Sequence, residues 1–382
     1  MAKIAFLIPN LAGGGAERVA LTLVEAFLKR GHDVDLVIME RRGELVEQVP
    51  PGVRLINLNG PRIRGVLRPL IRYLRQERPN AFQISLWPLT IVGIVAARLS
   101  RVPMRVVVSD HISLSRQFGA DKVRFALLKL TTRFFYPLAD ARICVSHGSA
   151  RDLARLSGMR ERAITTIYNP VPTPRLGKLG REQEQLWGGA EARFLSVGTL
   201  KDQKNHALLI DSFATIAKTM DAKLIIIGDG PLRTELQRRI DDLGLGRRIE
   251  LAGYVGDPSP YYASANLFVL SSDYEGFALV LVEALHHGLK VVSTDCPDGP
   301  AEILAGGKFG RLAAVGNAAE LAEAMIAEFN DRRDPEKQRG RAADFSPERA
   351  ADAYLAALLD GRGNCHEPVA EAQAEAAPNP GE

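Results

Sequence analysis

Two carboxylates, Glu275 and Glu283, frame the stretch Ser-Ser-Asp-Tyr-Glu-Gly-Phe-Ala-Leu-Val-Leu-Val-Glu-Ala-Leu over residues 271–285. Residues 265–270 before it form a short apolar run bounded by polar residues, the pattern of a buried parallel strand. After Gly276 the period changes, and Leu279, Val282, Glu283 and Leu285 recur at helical-turn spacing. Glu275 therefore stands on the loop at the carboxyl end of a strand, and Glu283 inside the helix that follows. The backbone N–H groups of Phe277, Ala278 and Leu279 are then the unpaired donors of a helix start, which favour an anion. A carboxylate that accepts sugar or ribose hydroxyls beside a phosphate-binding helix end implies a pocket for a nucleotide sugar. Either glutamate alone reads as an acidic loop or a solvated helix face. The spacing within a strand–loop–helix context gives the pair its meaning.

The elements that must position this pair recur along the chain. In the first half, strand-like runs at 4–8, 34–39, 106–109 and 141–145 alternate with helical patterns such as 17–30, which Gly31 closes. The stretch 169–174, Asn-Pro-Val-Pro-Thr-Pro, is followed by Gly177, Gly180, Gly188 and Gly189 and reads as a linker over 171–190. Beyond it the alternation restarts: strands at 194–197, 223–227 and 249–251, helices at 205–218 and 232–243. With 382 residues, the chain is long for a single core. The expected fold is α/β, with two doubly wound parallel-sheet domains over 1–170 and 191–346. Ligands bind such sheets beyond the carboxyl ends of the strands. The polar, Ala-, Pro- and Glu-rich segment 361–382 reads as a disordered tail.

Bulk properties narrow the class. The three cysteines, Cys144, Cys296 and Cys365, have no metal-type spacing, which fits a reducing cytosol and predicts neither a disulfide framework nor a zinc site. The apolar stretch 84–97 is broken by Pro88 and falls short of the roughly 20 residues of a membrane span. Residues 1–170 hold 26 Lys and Arg against 13 Asp and Glu, while the remainder holds 23 against 32. One basic domain is thus joined to an acidic one, which implies an anionic surface or partner for the first. Six arginines punctuate residues 61–78, where Ile63, Leu67, Leu70, Ile71 and Leu74 share a helical stripe and Pro69 either divides the helix or begins its main part. Residues 122–137 repeat the theme, with Lys122, Arg124, Lys129 and Arg133 among Phe125, Leu127, Leu128, Phe134 and Phe135. Such helices suit anionic lipid, unless their apolar stripes are core and their cations simply solvated. No aromatic-studded recognition motif points to nucleic acid.

Further motifs sit at predicted strand ends. Asn10-Leu-Ala-Gly13-Gly14-Gly15-Ala-Glu17 follows the first strand, and its glycines let a backbone approach a diphosphate. It is neither a dinucleotide fingerprint, since Arg18 takes the third glycine's place, nor a P-loop. Ser196-Val-Gly198-Thr-Leu-Lys201-Asp-Gln-Lys204 offers point charges for phosphate. Gly228-Asp-Gly230-Pro231, Gly253-Tyr254-Val255 and Ser109-Asp110-His111 close other strands. Each alone is equally a plain turn, a solvated loop or a structural histidine.

In combination these segments resemble retaining glycosyltransferases of family 4, which have the GT-B fold of two Rossmann-like domains facing across a cleft. Glu, seven intervening residues and Glu, with Gly-Phe after the first, is that family's signature. The resemblance runs from the first strand to about residue 316, and its relevant branch builds lipid-linked or cell-surface glycans. It implies donor contacts from Gly14, Gly15, Gly198, Lys204, Gly230, Tyr254, Val255, Glu275, Gly276, Phe277, Ala278, Leu279 and Glu283. It implies catalytic roles for His111, Lys204 and Glu275, and an acceptor side at Glu17 and Ser146. The segment at 291–304, with Gly299-Pro300-Ala-Glu302, resembles a loop of the glycan-building branch, and the helix over 347–360 is expected to cross back to the first domain. Thr199 stands where the family usually has an arginine, and Lys201 is a candidate substitute.

The function implied is front-face transfer, with retention and without a metal or cofactor. A hexose or N-acetylhexosamine would pass from a UDP-sugar, favoured over a GDP-sugar, to a lipid-linked, exopolysaccharide or lipopolysaccharide acceptor. The enzyme would work in the cytoplasm, peripherally on the inner face of the membrane. A soluble transferase making a small glycoside, a sugar-nucleotide epimerase, and a non-catalytic sugar-nucleotide-binding partner in a glycan-assembly complex are the alternatives. The two-glutamate loop speaks against the epimerase, and Thr199 leaves the binding partner open.

Overall fold

The computed structural model describes residues 1–174 and 185–360. The first domain is a parallel sheet of β1 (Lys3–Ile8), β2 (Asp33–Ile38), β3 (Arg54–Asn57), β4 (Ala81–Ser85), β5 (Arg105–Asp110), β6 (Ala141–Cys144) and β7 (Thr165–Thr166). Around it lie α1 (Gly15–Lys29), α2 (Ile63–Glu77), α3 (Leu89–Ser100), α4 (Leu114–Phe118), α5 (Lys122–Phe135) and α6 (His147–Ser157). Its strand order is β3-β2-β1-β4-β5-β6-β7. Alternate residues of β1 feed opposite faces: Ala5 and Leu7 join one core, Ile4, Phe6 and Ile8 the other. A strand buried on both faces must be apolar throughout, which is why it reads as a continuous run.

The second domain repeats the plan with β8 (Ala192–Val197), β9 (Ala222–Ile227), β10 (Ile249–Gly253), β11 (Leu267–Leu270), β12 (Lys290–Thr294) and β13 (Arg311–Ala313). Its helices are α7 (His206–Ile216), α8 (Arg233–Asp242), α9 (Ser259–Ser264), α10 (Leu279–His286), α11 (Pro300–Ile303), α12 (Ala318–Asn330), α13 (Pro335–Ala342) and α14 (Pro347–Leu355). The order β10-β9-β8-β11-β12-β13 reverses direction between β8 and β11, which opens a crevice at the carboxyl ends of these two strands. Phe268 and Leu270 of β11 enter one core and Leu267 and Val269 the other.

The chain crosses between domains twice. Val171 is buried in the second domain's core, as is Trp187, so both ends of the expected linker are packed; its middle, 175–184, lies outside the described residues. The return crossing brings α14 onto the first domain, where Ala350, Ala351 and Tyr354 join the core of β1 and α1. There the Arg30 Nε donates to Asp352 at 2.9 Å. The Val171 N–H donates to the Phe345 carbonyl at 2.9 Å, so the two crossings touch. The expected tail, 361–382, also lies outside the described residues.

The two basic helices differ. Helix α2 runs unbroken through Pro69. Its Val66, Leu70, Tyr73 and Leu74 are core, so its apolar stripe is structural. Helix α5 buries only Leu128 and Thr132. Its Val123, Leu127, Leu130 and Phe134, spaced four, three and four residues apart, share a solvent face at 78, 49, 56 and 61% exposure. No helix among the described residues is long and apolar enough to cross a membrane.

Candidate functional site at the β8–β11 crevice

The loops following β8 and β11 meet where the strand order reverses. Lys204 Nζ donates to Glu275 Oε1 at 2.6 Å, and Ser272 Oγ donates to the same oxygen at 2.7 Å. The two charged side chains are only 16% and 7% exposed. Ser271 Oγ donates to the Lys204 carbonyl at 2.8 Å and Asn205 Nδ2 to Asp273 Oδ1 at 2.8 Å, knitting the loops together. Glycine makes the stack possible: a Cβ on Gly228 (φ +140°) would lie 2.0 Å from the Gly198 carbonyl oxygen, and one on Gly230 2.5 Å from that of Leu200. Gly198 in turn rests on the Lys204 side chain, with 3.4 Å from a Cβ there to Cδ.

Helix α10 starts at Leu279, with Ala278 as its N-cap and no side chain capping it. The N–H groups of its first turn thus lack a side-chain acceptor, and only that of Leu281 turns back to the Ala278 carbonyl, at 3.0 Å. The Phe277 side chain turns away and packs against Tyr168 and Phe345, ring centroids 5.7 and 5.3 Å apart, leaving only its backbone for the pocket. One helical turn on, Glu283 Oε2 accepts from the Tyr262 hydroxyl at 2.9 Å. Burial raises the Glu283 pKa, while the Tyr262 hydroxyl and the positive charges of Arg18 and Lys204 pull it back. Tyr254 is exposed and Val255 half-buried at the end of β10, forming the outer lip.

The first domain closes over this site. A Cβ on Gly15 would lie 3.3 Å from Leu279, and one on Gly276 2.3 Å from the His111 carbonyl oxygen, so both glycines mark close cross-domain approaches. Gly14 is the N-cap of α1, and Glu17 folds back over it, its carboxyl pushed up by burial. His111 is held on both ring nitrogens: Nε2 is 3.2 Å from Ser109 Oγ and Nδ1 3.2 Å from Asn169 Oδ1. Burial drives its pKa down to about 4, so the ring is neutral at pH 7. Beneath it, Asp110 accepts from the Tyr136 hydroxyl at 2.8 Å, and burial lifts its pKa to about 7.

One expected acceptor-side residue is not available. Ser146 is fully buried and caps α6, accepting from the Ser149 N–H at 3.1 Å in a capping box, so its hydroxyl is used locally. The α6 start is instead covered from the second domain: Glu302 accepts from the His147 and Gly148 N–H groups, both at 3.0 Å.

Arg18 was not singled out from the sequence as a site residue, yet it is exposed in the first turn of α1 and close enough to influence Glu283. Arg233 is similar: its Nη2 donates to the Leu251 carbonyl at 3.0 Å while its buried Nη1 has no partner. Both are single arginines at helix starts, with no spacing pattern to mark them. Thr199 is exposed at the crevice. Lys201 is exposed on the same loop, and its pKa is lowered by partial burial and then by the Lys204 charge, with Glu275 opposing.

Similarity to known proteins follows the same division. A family model described as Glycosyltransferase Family 4 matches residues 13–175, and one described as Glycosyl transferases group 1 matches 191–331. The chain is 28% identical over 340 residues to the N-acetylgalactosamine-N,N'-diacetylbacillosaminyl-diphospho-undecaprenol 4-alpha-N-acetylgalactosaminyltransferase of Campylobacter jejuni, covering 87% of this chain and 91% of that protein. It is also 28% identical over 353 residues to the lipopolysaccharide core biosynthesis glycosyltransferase LpsE of Rhizobium meliloti, covering 90% and 96%. The Anabaena HepE structure in complex with UDP superposes with a TM-score of 0.78 at 21% identity, covering 94% of this chain and all of that one.

Proposed function

This chain belongs to the glycosyltransferases of family 4, with the GT-B fold, and from that premise we propose a retaining, metal-independent hexosyl- or N-acetylhexosaminyltransferase. Its donor is a nucleotide sugar, and its acceptor is a lipid-linked oligosaccharide, exopolysaccharide or lipopolysaccharide glycan at the cytoplasmic face of the membrane. The observation that carries this reading is the Lys204–Glu275 pair at the β8–β11 crevice, facing the uncapped start of α10. A donor diphosphate placed there meets an ammonium and a positive helix end, both oriented toward the charge that grows as the glycosidic bond breaks. Glu275 is left to accept sugar hydroxyls, and Glu283 ribose hydroxyls. The acceptor oxygen forms its bond to the anomeric carbon on the face from which the diphosphate oxygen leaves. That oxygen takes the acceptor's proton, and no side-chain nucleophile is consumed. Neutral His111 acts by hydrogen bonding rather than charge.

The relatives favour a membrane-borne acceptor, since the Campylobacter protein is named for a diphospho-undecaprenol glycan and the Rhizobium protein for lipopolysaccharide core. UDP in the HepE structure favours a UDP-sugar. The exposed apolar face of α5, flanked by Lys122, Lys129 and Arg133, fits an anionic lipid surface. Thr199 favours the second reading, a sugar-nucleotide binder without turnover. A panel of UDP- and GDP-sugars, tested by thermal shift and donor hydrolysis without added metal, separates the two. Stabilisation and slow hydrolysis by one donor, lost in Glu275→Ala, is the expected result. Stabilisation without hydrolysis, even with acceptor glycans present, supports the binder. No response to any nucleotide sugar overturns both.

A further inference from the structure

Outside the donor crevice, a cavity of about 440 Å³ lies between the two domains, lined by Ser113, Arg116, Arg151, Asp152, Arg155 and Asp298 among others. Its walls are α4, the first three turns of α6 and the Pro297–Asp298 loop of the second domain. Three exposed arginines line it, and among the described residues none makes an ion pair. Its two carboxylates are already engaged. Asp152 accepts from the Ser115 N–H at 2.9 Å, and at Asp298 burial raises the carboxyl pKa while the Ser113 side chain and the Arg151 charge oppose it. With three arginines against two carboxylates, the lining keeps an excess of positive charge, carried by the residue type suited to bidentate phosphate recognition.

Position gives this charge a use. The Pro297 carbonyl accepts from the Glu275 N–H at 3.3 Å, so the cavity's second-domain wall is continuous with the loop holding the reactive pair. Ser113 is two residues from His111. On the opposite side Phe125 of α5 lines the cavity, and the solvent face of that helix carries Val123, Leu127, Leu130 and Phe134. One element thus borders the cationic cavity and presents an apolar stripe to its surroundings. A ligand with an anionic group between a hydrocarbon chain and a glycan would meet these features in order: apolar face, arginines, reaction centre.

We propose that this cavity is an acceptor subsite, in which Arg116, Arg151 and Arg155 bind the diphosphate joining the acceptor glycan to its lipid. The inference rests on the membrane-borne acceptor of the proposed function. It goes further by placing the lipid-proximal phosphates outside the donor crevice, on residues from α4 and α6.

The test is calorimetric titration of the full chain with farnesyl diphosphate in neutral detergent and, separately, with inorganic pyrophosphate. The donor crevice is first filled with excess UDP. Wild type is expected to bind farnesyl diphosphate saturably and more tightly than pyrophosphate. Arg151→Ala and Arg155→Ala are each expected to weaken that binding about tenfold or more, the loss of one charge-assisted contact. Melting temperature and UDP affinity are expected to stay as in wild type. Arg116→Lys, which keeps charge but not the fork, is expected to weaken binding less than Arg116→Ala. Unchanged affinity in folded arginine variants overturns the subsite. So does pyrophosphate binding as tightly as farnesyl diphosphate, because the cavity would then recognise a free anion. So does the absence of saturable binding by either. Failure of UDP itself to bind counts against the donor assignment and leaves the arginine comparison readable on its own.

Discussion

Lys204 and Glu275 satisfy each other at 2.6 Å, so a diphosphate bound as proposed would compete with a carboxylate for the ammonium. Removing one member leaves the other charge buried and unpaired, a penalty of about 3–5 kcal/mol at full burial and less here because Lys204 keeps some solvent contact. Lys204→Ala is therefore expected to lower both the melting temperature and donor turnover, the latter by about 10²–10³-fold. Adding Glu275→Gln to that variant is expected to restore the melting temperature and not the turnover, by thermal melt and donor hydrolysis on the same samples. Recovery of both would make the pair purely structural. His111 yields a different kind of expectation. With its pKa near 4 it stays neutral across pH 5–8, so rate profiles of wild type and His111→Gln should run parallel there. A limb present only in wild type would show that protonated His111 takes part. The placement of Glu275 and Glu283 was legible in the sequence because local spacing within one strand–loop–helix unit determines where they fall, whereas the Lys204–Glu275 contact joins loops after two different strands and has no local signal. Arg18 was not, because its relevance arises only when the first domain's α1 is laid against α10, a relation no local pattern encodes. Ser146 misled for the complementary reason: a serine before a helix is equally a ligand contact and a cap, and the Ser149 N–H claims it.

At the level of elements, α2 and α5 have nearly interchangeable composition, and burial alone distinguishes them. The stripe of α2 is claimed by the domain core through Val66, Leu70 and Leu74, whereas α5 is held by little more than Leu128 and Thr132. Sequence periodicity reports that a helix has an apolar face and not which neighbour covers it, so the two could not be separated beforehand. The consequence is measurable. Leu127→Asp with Leu130→Asp is expected to abolish co-sedimentation with anionic vesicles while leaving the melting temperature within a degree or two of wild type. Each apolar side chain contributes up to about 1.5–3 kcal/mol when fully inserted. Charge reversal at Arg68 and Arg72 is expected to reduce binding only by screening-sensitive attraction, and high salt should mimic it. Vesicle binding unaffected by the α5 changes would remove that helix from the interface.

For the whole molecule, several buried histidines set how stability depends on acidity. Burial lowers the pKa values of His111, His206 and His287 to about 4, against an unfolded value near 6.5. The unfolded chain takes up protons first as pH falls, so this stabilisation is complete above about pH 6.5 and is lost progressively between 6.5 and 4. Below that, Glu77, held down to about 2 chiefly by hydrogen bonds from Arg54 and then Lys3, adds a loss from about pH 4.5 downward. Asp110, lifted to about 7 by burial, works the other way over the same range, so the three rings leave a net fall in melting temperature from pH 7 to 4.5, and His206→Gln, if folded, should flatten the slope. A slope unchanged by His206→Gln in the folded variant would contradict the burial of that ring.

The two chain crossings have a mechanical consequence. Val171 and Phe345 are bonded to each other, and the Tyr168–Phe277–Phe345 rings pack around that bond. Both strands of the connection are thus pinned to one spot, so the sheets can separate by swinging about that line but have little freedom to slide or unscrew. Contacts near the pivot, such as Phe277 on Tyr168, travel least. An opening of the cleft to admit a donor would thus turn at Phe345 and leave the aromatic bearing packed.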